Sequence, residues 1–177
     1  MKILLEDRSL LKISGSDAEI FLQNQLSNDI TILDSSKIQL NAYCQHQGKI
    51  IGLFWVMKPD ESFLISLPKD LLLKIKQRLE MFVIMSDVVI EDVSKSFFQI
   101  GLIDEKESSA YHIKDNLSLL VDNLTDISNH KLGNLTEWDL ALNTSLLPEV
   151  FLATSEKFVP QMLNLDIDEI GVNFSKG

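Results

Sequence analysis

Apolar and polar residues change their period along this chain, and each change marks an element. Ile38, Leu40, Ala42 and Cys44 alternate with Gln39, Asn41 and Tyr43, which indicates a strand. Gln45-His46-Gln47-Gly48 reads as a hairpin turn, and Lys49–Lys58 as the returning strand. Lys2–Leu5, Leu10–Ser14, Ser62–Leu67 and Ser86–Val93 have the same strand character. Ala18, Phe21, Leu22 and Leu26 recur instead at helical spacing, behind Ser16-Asp17-Ala18-Glu19. That start predicts a capping box between Ser16 and Glu19, and Asn28-Asp29 is expected to close the helix. Leu71, Leu72, Ile75, Leu79 and Phe82 form the apolar stripe of a second helix. Pro68 stands where a first-turn proline belongs, and Lys74, Lys76, Gln77 and Arg78 face solvent.

Beyond residue 95 the pattern starts again. Phe97–Ile103 is a strand, Asp104–Ser109 a charged loop and Leu117–Val121 a short strand. Asn134-Leu135-Thr136-Glu137 opens a helix that carries Trp138, Ala141 and Leu142, and Pro148 forces the chain out of it. Blocks of strands and helices joined by short hairpins predict an α+β fold with mostly antiparallel sheets. The expected division is a first α+β subdomain over 1–95 and a second over 96–177. Ile170, Val172 and Phe174 alternate like a strand and run into a Lys176-Gly177 turn. The expectation from that ending is that further protein follows and that the second subdomain is incomplete.

Composition narrows the function classes. With 177 residues, 45% of them apolar, the chain has enough material for a sizeable core. Its net charge of −10 repels phosphate backbones, which argues against direct nucleic-acid binding. A single cysteine, Cys44, excludes an internal disulfide, and with no signal peptide this points to the cytoplasm. The longest apolar run, around Ile50–Met57, is too short for a membrane span. No metal site is visible, because His46, His112 and His130 are scattered and read as surface loop residues. Cys44 and His46 lack the third group that would orient a thiolate pair, so Cys44 reads as a half-buried structural residue. By pattern alone Trp138 is a core residue. From these residues follows a soluble α+β protein with no assigned reaction.

The segment Gly15-Ser16-Asp17-Ala18, then Phe21-Leu22-Gln23, Gln25-Leu26 and Asn28-Asp29, resembles the N-terminal signature of the YgfZ-type folate-binding proteins, relatives of the glycine-cleavage T-protein, an aminomethyltransferase. Three further passages agree in order: Ala42-Tyr43-Cys44 with Gly48-Lys49-Ile50, then Leu79–Val93, then Phe158-Val159-Pro160-Gln161 with Asn164-Leu165 and Phe174-Ser175-Lys176-Gly177. The resemblance spans essentially the whole chain.

It implies duplicated α+β subdomains around a pocket for tetrahydrofolate, normally followed by a C-terminal barrel domain that is expected to be absent here. It also implies a role in maintaining iron–sulfur enzymes, and through one of them an indirect part in tRNA modification. The implied partners are folate and iron–sulfur client enzymes, with no direct nucleic acid and no membrane. Self-association is expected of a chain whose subdomain faces are left bare. The family signature Lys-Gly-Cys-Tyr-x-Gly-Gln-Glu is represented only by Lys176 and Gly177, so no catalytic residue is assigned. Trp138 matches a family tryptophan associated with folate, and a flat pterin or aminobenzoyl ring stacks on an indole face. Arg8 aligns with a second such position and is suited to the glutamate carboxylates of folate. Gln25 and Asn28 complete the implied folate-binding set. After Trp138 the family often has Glu and Gly before the proline, where this chain has Thr144 and Leu146, so a carboxylate partner for the pterin is missing there. The alternatives are an aminomethyltransferase or a ligand-free interaction module. Gly52 and Leu53 stand where the transferases carry an Asp pair, which argues against the enzyme.

Overall fold

In a computed structural model, residues 1–123, 132–166 and 171–173 are described. Two five-stranded sheets organise the fold. The first has strand order β3 (Ile38–Cys44), β4 (Ile50–Met57), β5 (Phe63–Pro68), β2 (Arg8–Ser14) and β6 (Val89–Asp92). The second runs β10 (Leu132–Gly133), β1 (Lys2–Leu4), β7 (Phe97–Ile103), β9 (Leu117–Asn123) and β8 (Tyr111–Lys114). Every pairing is antiparallel except β1 with β10. The fold is therefore α+β and mostly antiparallel, as the alternating pattern predicts. The first strand, Lys2–Leu4, joins the sheet built otherwise from residues 97–133, so the chain crosses between the sheets at the outset.

Three layers follow from this arrangement. Helices α1 (Ala18–Gln25) and α2 (Leu72–Glu80) cover one face of the first sheet through Phe21, Leu22, Ile75 and Leu79. The opposite face packs against the second sheet and helix α3 (Leu135–Thr144) through Leu10, Leu40, Leu53, Trp55, Leu117, Leu119, Trp138 and Leu142. Strand β4 is buried on both faces, which explains its unbroken apolar run. After Pro148 the chain leaves the second sheet and crosses the first unit as a strap. Leu152 N–H donates to Asp70 Oδ2 (3.0 Å), Glu156 N–H to Ile50 O (2.7 Å), and Ile50 N–H to Phe158 O (2.8 Å).

Several local expectations are corrected. Helix α1 has Asp17, not Ser16, as its N-cap. Ser16 instead donates its N–H and hydroxyl to Asp87 Oδ2, and Glu19 pairs with Lys58, so no capping box forms there. The helix ends at Gln25, and Asn28-Asp29 leads into a 3-10 turn at Ile30–Ile32. Pro68 is the last residue of β5, opposite Arg8, and a 3-10 turn at Lys69–Leu71 separates it from α2. Phe82 does not join the α2 stripe: with Met81, Ile84 and Met85 it forms an exposed apolar tip. Strand β6 is shorter than expected, and strands β8 and β10 were absent from the pattern reading. His112 lies on strand β8 rather than in a loop, and His130 is outside the described residues. The capping box at Asn134–Glu137 is present in both its bonds, at 3.2 and 2.9 Å. Of the strand expected at Ile170–Phe174, only Gly171–Asn173 are described. They form a bend and an irregular passage held by Asn173 N–H donating to Ser27 O (3.2 Å). Lys176 and Gly177 lie outside the described residues.

Candidate functional site

The four residues singled out for ligand binding divide into three settings. Trp138 is 4% exposed, on the inward face of α3. A Cβ on Gly101 of β7 would stand 2.5 Å from its indole Cε3, so the glycine makes room for the ring. The indole thus has a structural job, and its face is closed by the sheet.

Gln25 and Asn28 belong to a polar clasp at the end of α1. Asn28 N–H donates to Asn41 Oδ1 (3.0 Å), and Asn28 Nδ2 to Leu40 O (3.2 Å). Asn41 Nδ2 donates in turn to Gln39 Oε1 (2.9 Å), and Gln39 Nε2 to Asp29 O (2.8 Å). Ser27 Oγ accepts from Ala42 N–H (2.8 Å) and donates to Gly171 O. The Gln25 carboxamide accepts a long bond from the Tyr43 hydroxyl (3.5 Å). The Gln-Leu-Ser-Asn-Asp segment therefore docks a turn onto β3 through the side chains of Ser27 and Asn28.

Arg8 is different. Its Nε donates to Ser66 Oγ (2.8 Å), its Nη2 to Ser66 O (3.1 Å) and its Nη1 to Glu149 Oε1 (2.6 Å). The arginine side chain is 5% exposed and the glutamate 19%. Burial pulls the guanidinium pKa down and pushes the Glu149 carboxyl up, Arg8 opposing the latter. The pair is a charge-assisted contact at low dielectric, where each partner depends on the other.

Glu149 also lines a cavity of about 300 Å3 together with Asp139, Leu142, Asn143, Leu147 and Phe151. Burial, and then the charge of Asp7, push the Asp139 carboxyl upward. Two carboxylates and a carboxamide thus converge on a slot with aliphatic walls and one phenyl ring. Such a slot accepts hydrogen bonds from a flat, donor-edged molecule. Glu149 follows Pro148 directly. No local pattern pointed to it, because its role arises from pairing with Arg8 at the other end of the chain.

The remaining candidates are placed as follows. Burial raises the Cys44 thiol to about 11, which leaves it almost wholly protonated at neutral pH. Gly52 lies beneath α2, where an added Cβ would meet Phe54 Cε1 at 2.8 Å and Ile75 Cδ1 at 3.2 Å. Leu53 packs in the core between the sheets. Among the described residues, no group of three or more His, Cys, Asp or Glu is arranged to hold a metal, and no helix is long and apolar enough to cross a membrane.

Comparison with known proteins adds the context that geometry lacks. No family model matches the chain. An uncharacterized protein of Haemophilus influenzae is 31% identical over 99% of this chain and 64% of its own length. The tRNA-modifying protein YgfZ of Colwellia psychrerythraea is 24% identical over 99% of this chain and 63% of its length. The chain thus spans less than two thirds of either relative. The crystal structure of glycine cleavage system aminomethyltransferase T from Bartonella henselae superposes with a TM-score of 0.52 at 13% identity, over 56% of this chain and 27% of that one. At that identity the likeness concerns the fold.

Proposed function

We propose that this chain, which is of the YgfZ type and shares the aminomethyltransferase fold, binds a reduced folate in the slot beside Arg8 and Glu149. The observation that carries the reading is the relation to YgfZ proteins along nearly the whole chain, joined to a slot whose groups suit a pterin. The fit is chemical. A pterin presents an amide N–H and an exocyclic amine on one edge, donors suited to carboxylate oxygens. Glu149 has one oxygen outside its bond to Arg8, and the Asp139 carboxylate lies on the same slot. Phe151 and Leu147 offer apolar cover for the ring. Trp138 acts indirectly, by fixing α3 and hence Asp139. Tetrahydrofolate, when bound, supplies a carrier for one-carbon units. In this chain Arg8 orients Glu149, and Glu149 holds the donor edge.

At the level of the cell, the reading is a cytoplasmic protein that supports iron–sulfur enzymes and affects tRNA modification through them. The net charge of −10 favours such an indirect route over contact with RNA. The transferase remains the second reading, on the strength of the shared fold; Gly52 and Leu53 argue against it because neither can position an amine. Calorimetric titration with tetrahydrofolate tests the proposal. Saturable binding that Glu149→Gln weakens tenfold or more is the expected result. An unchanged affinity in that variant would remove the slot from the account, and turnover of an aminomethyl-lipoyl carrier would favour the enzyme.

A further inference from the structure

The turn that follows α2 holds apolar side chains outward on a fixed frame. Met81, Phe82, Ile84 and Met85 are exposed, Met81 at 70% and Met85 at 101%, and so is Leu73 on the outer side of α2. Leu73, Gln77 and Met81 stand four residues apart and form one ridge of the helix, and Ile84 and Met85 follow in the turn. From their fractional exposures the five apolar side chains present roughly 600 Å2, as much as the largest apolar patch on an ordinary monomer. Val83 packs into the core beneath the turn. At the far base, Asp87 Oδ2 accepts the N–H and hydroxyl of Ser16 (2.9 and 2.8 Å). The Asp87 N–H donates to Asp17 Oδ2 (2.8 Å), and the Asp17 N–H donates to Asp87 O (3.1 Å). Met85 has a φ of 56°, in the left-handed region that favours glycine. The backbone is thus strained at a position whose side chain is wholly in solvent.

We infer that this ridge and turn form a self-association surface, on which a second copy of the chain docks its own α2 and tip about a two-fold axis. A two-fold contact sets the same patch against itself, so the apolar tip finds an apolar partner in its copy, and the flexible methionine thioethers adapt to the fit. Two such patches remove about 1,200 Å2 from water, at the low end for a specific interface, so the dimer is weak and reversible. Charge points to the same place. The chain carries −10 overall, yet from Lys69 to Glu80 four cations accompany two acids, and Lys76 pairs with Glu80 inside the helix. Two copies therefore meet less repulsion along α2 than over the rest of their strongly acidic surface. The same net charge works against docking on an anionic lipid surface. The fixed frame lowers the cost of ordering the tip on contact. None of these residues lines the slot beside Glu149, so the inference stands apart from the folate reading.

Sedimentation velocity of the whole chain, from micromolar to about 500 µM and at low and high salt, tests it. A monomer at the low end and a dimer at the high end are expected. High salt should strengthen the dimer, because it screens the repulsion between two anionic bodies. Met81→Ser combined with Met85→Ser should weaken association tenfold or more. Both side chains are exposed, so the double variant should keep the urea midpoint of the parent. Mild peroxide gives a second route to the same loss: each exposed thioether takes one oxygen, water leaves, and the product sulfoxide is polar. That treatment should weaken the parent dimer and change the double variant no further. A monomer throughout, a dimer that the double variant keeps, or growth past the dimer into larger species would overturn the inference. Binding to phosphatidylcholine vesicles without a dimer would overturn it too, and would give the tip to lipid.

Discussion

Trp138 and Glu149 lie at the two ends of one passage, α3 and the turn that follows it, and their settings are opposite. The tryptophan is buried against Gly101. The glutamate is held by a buried arginine and opens on a cavity. The residue that best matched a ligand-stacking role packs in the core, and the residue that no pattern marked lines a cavity. Ring size and burial made Trp138 conspicuous in sequence. A buried ion pair between residues 8 and 149 leaves no local periodicity at all.

That contrast can be broken by substitution. Trp138→Ala should have the largest effect, about 3–5 kcal/mol lost in chemical denaturation, because an indole-sized cavity opens between α3 and β7. Trp138→Phe should retain folate binding within a fewfold; its abolition would return the indole to the binding site. Next comes Arg8→Leu, which strands Glu149 and should cost about 2–4 kcal/mol, somewhat less than breaking a fully buried pair, since the glutamate is partly wetted. Gly101→Ala forces a methyl against the indole and should cost about 1–3 kcal/mol by the same measurement, with no direct effect at Glu149.

A smaller effect distinguishes the clasp from the slot. Asn28→Ala should lower stability by about 1–2 kcal/mol and leave folate affinity unchanged, since its bonds serve the turn onto β3. A tenfold loss of affinity there would restore Asn28 to the ligand set.

The pH dependence sharpens the comparison further. Burial raises Glu149 above the ordinary carboxyl value of ~4.3, so the folded protein holds that proton more tightly than the unfolded chain does. Its contribution to stability therefore grows as pH falls through the window above that value and is lost as pH rises again. Folate affinity should move the other way, because only the ionised carboxylate accepts two donors. Glu149→Gln should flatten both curves in the range just above the ordinary carboxyl value. Urea midpoints and calorimetry across that window would show it.

Much of the fold was legible from residue pattern. The strand at Ile38–Cys44, the Gln45–Gly48 turn and the Asn134–Glu137 capping box all have local causes, and all are present. The failures are equally physical. Ser16 was claimed by Asp87, distant in sequence, so a local capping rule lost to a tertiary bond. Strand β8 carries a register irregularity between His112 and Lys114, which breaks the alternation that would have revealed it. The candidate site was the least legible part. Asn28 and Gln25 belong to a conspicuous motif at the turn onto β3, whereas Arg8 and Glu149 meet only in the folded chain.

The measurement that bears most directly on the central claim is calorimetric titration of tetrahydrofolate into the wild-type chain and its Glu149→Gln and Trp138→Phe variants. The account predicts saturable binding to the wild type, nearly unchanged binding to Trp138→Phe, and a loss of tenfold or more in Glu149→Gln. Affinity that survives in Glu149→Gln and vanishes in Trp138→Phe would contradict it.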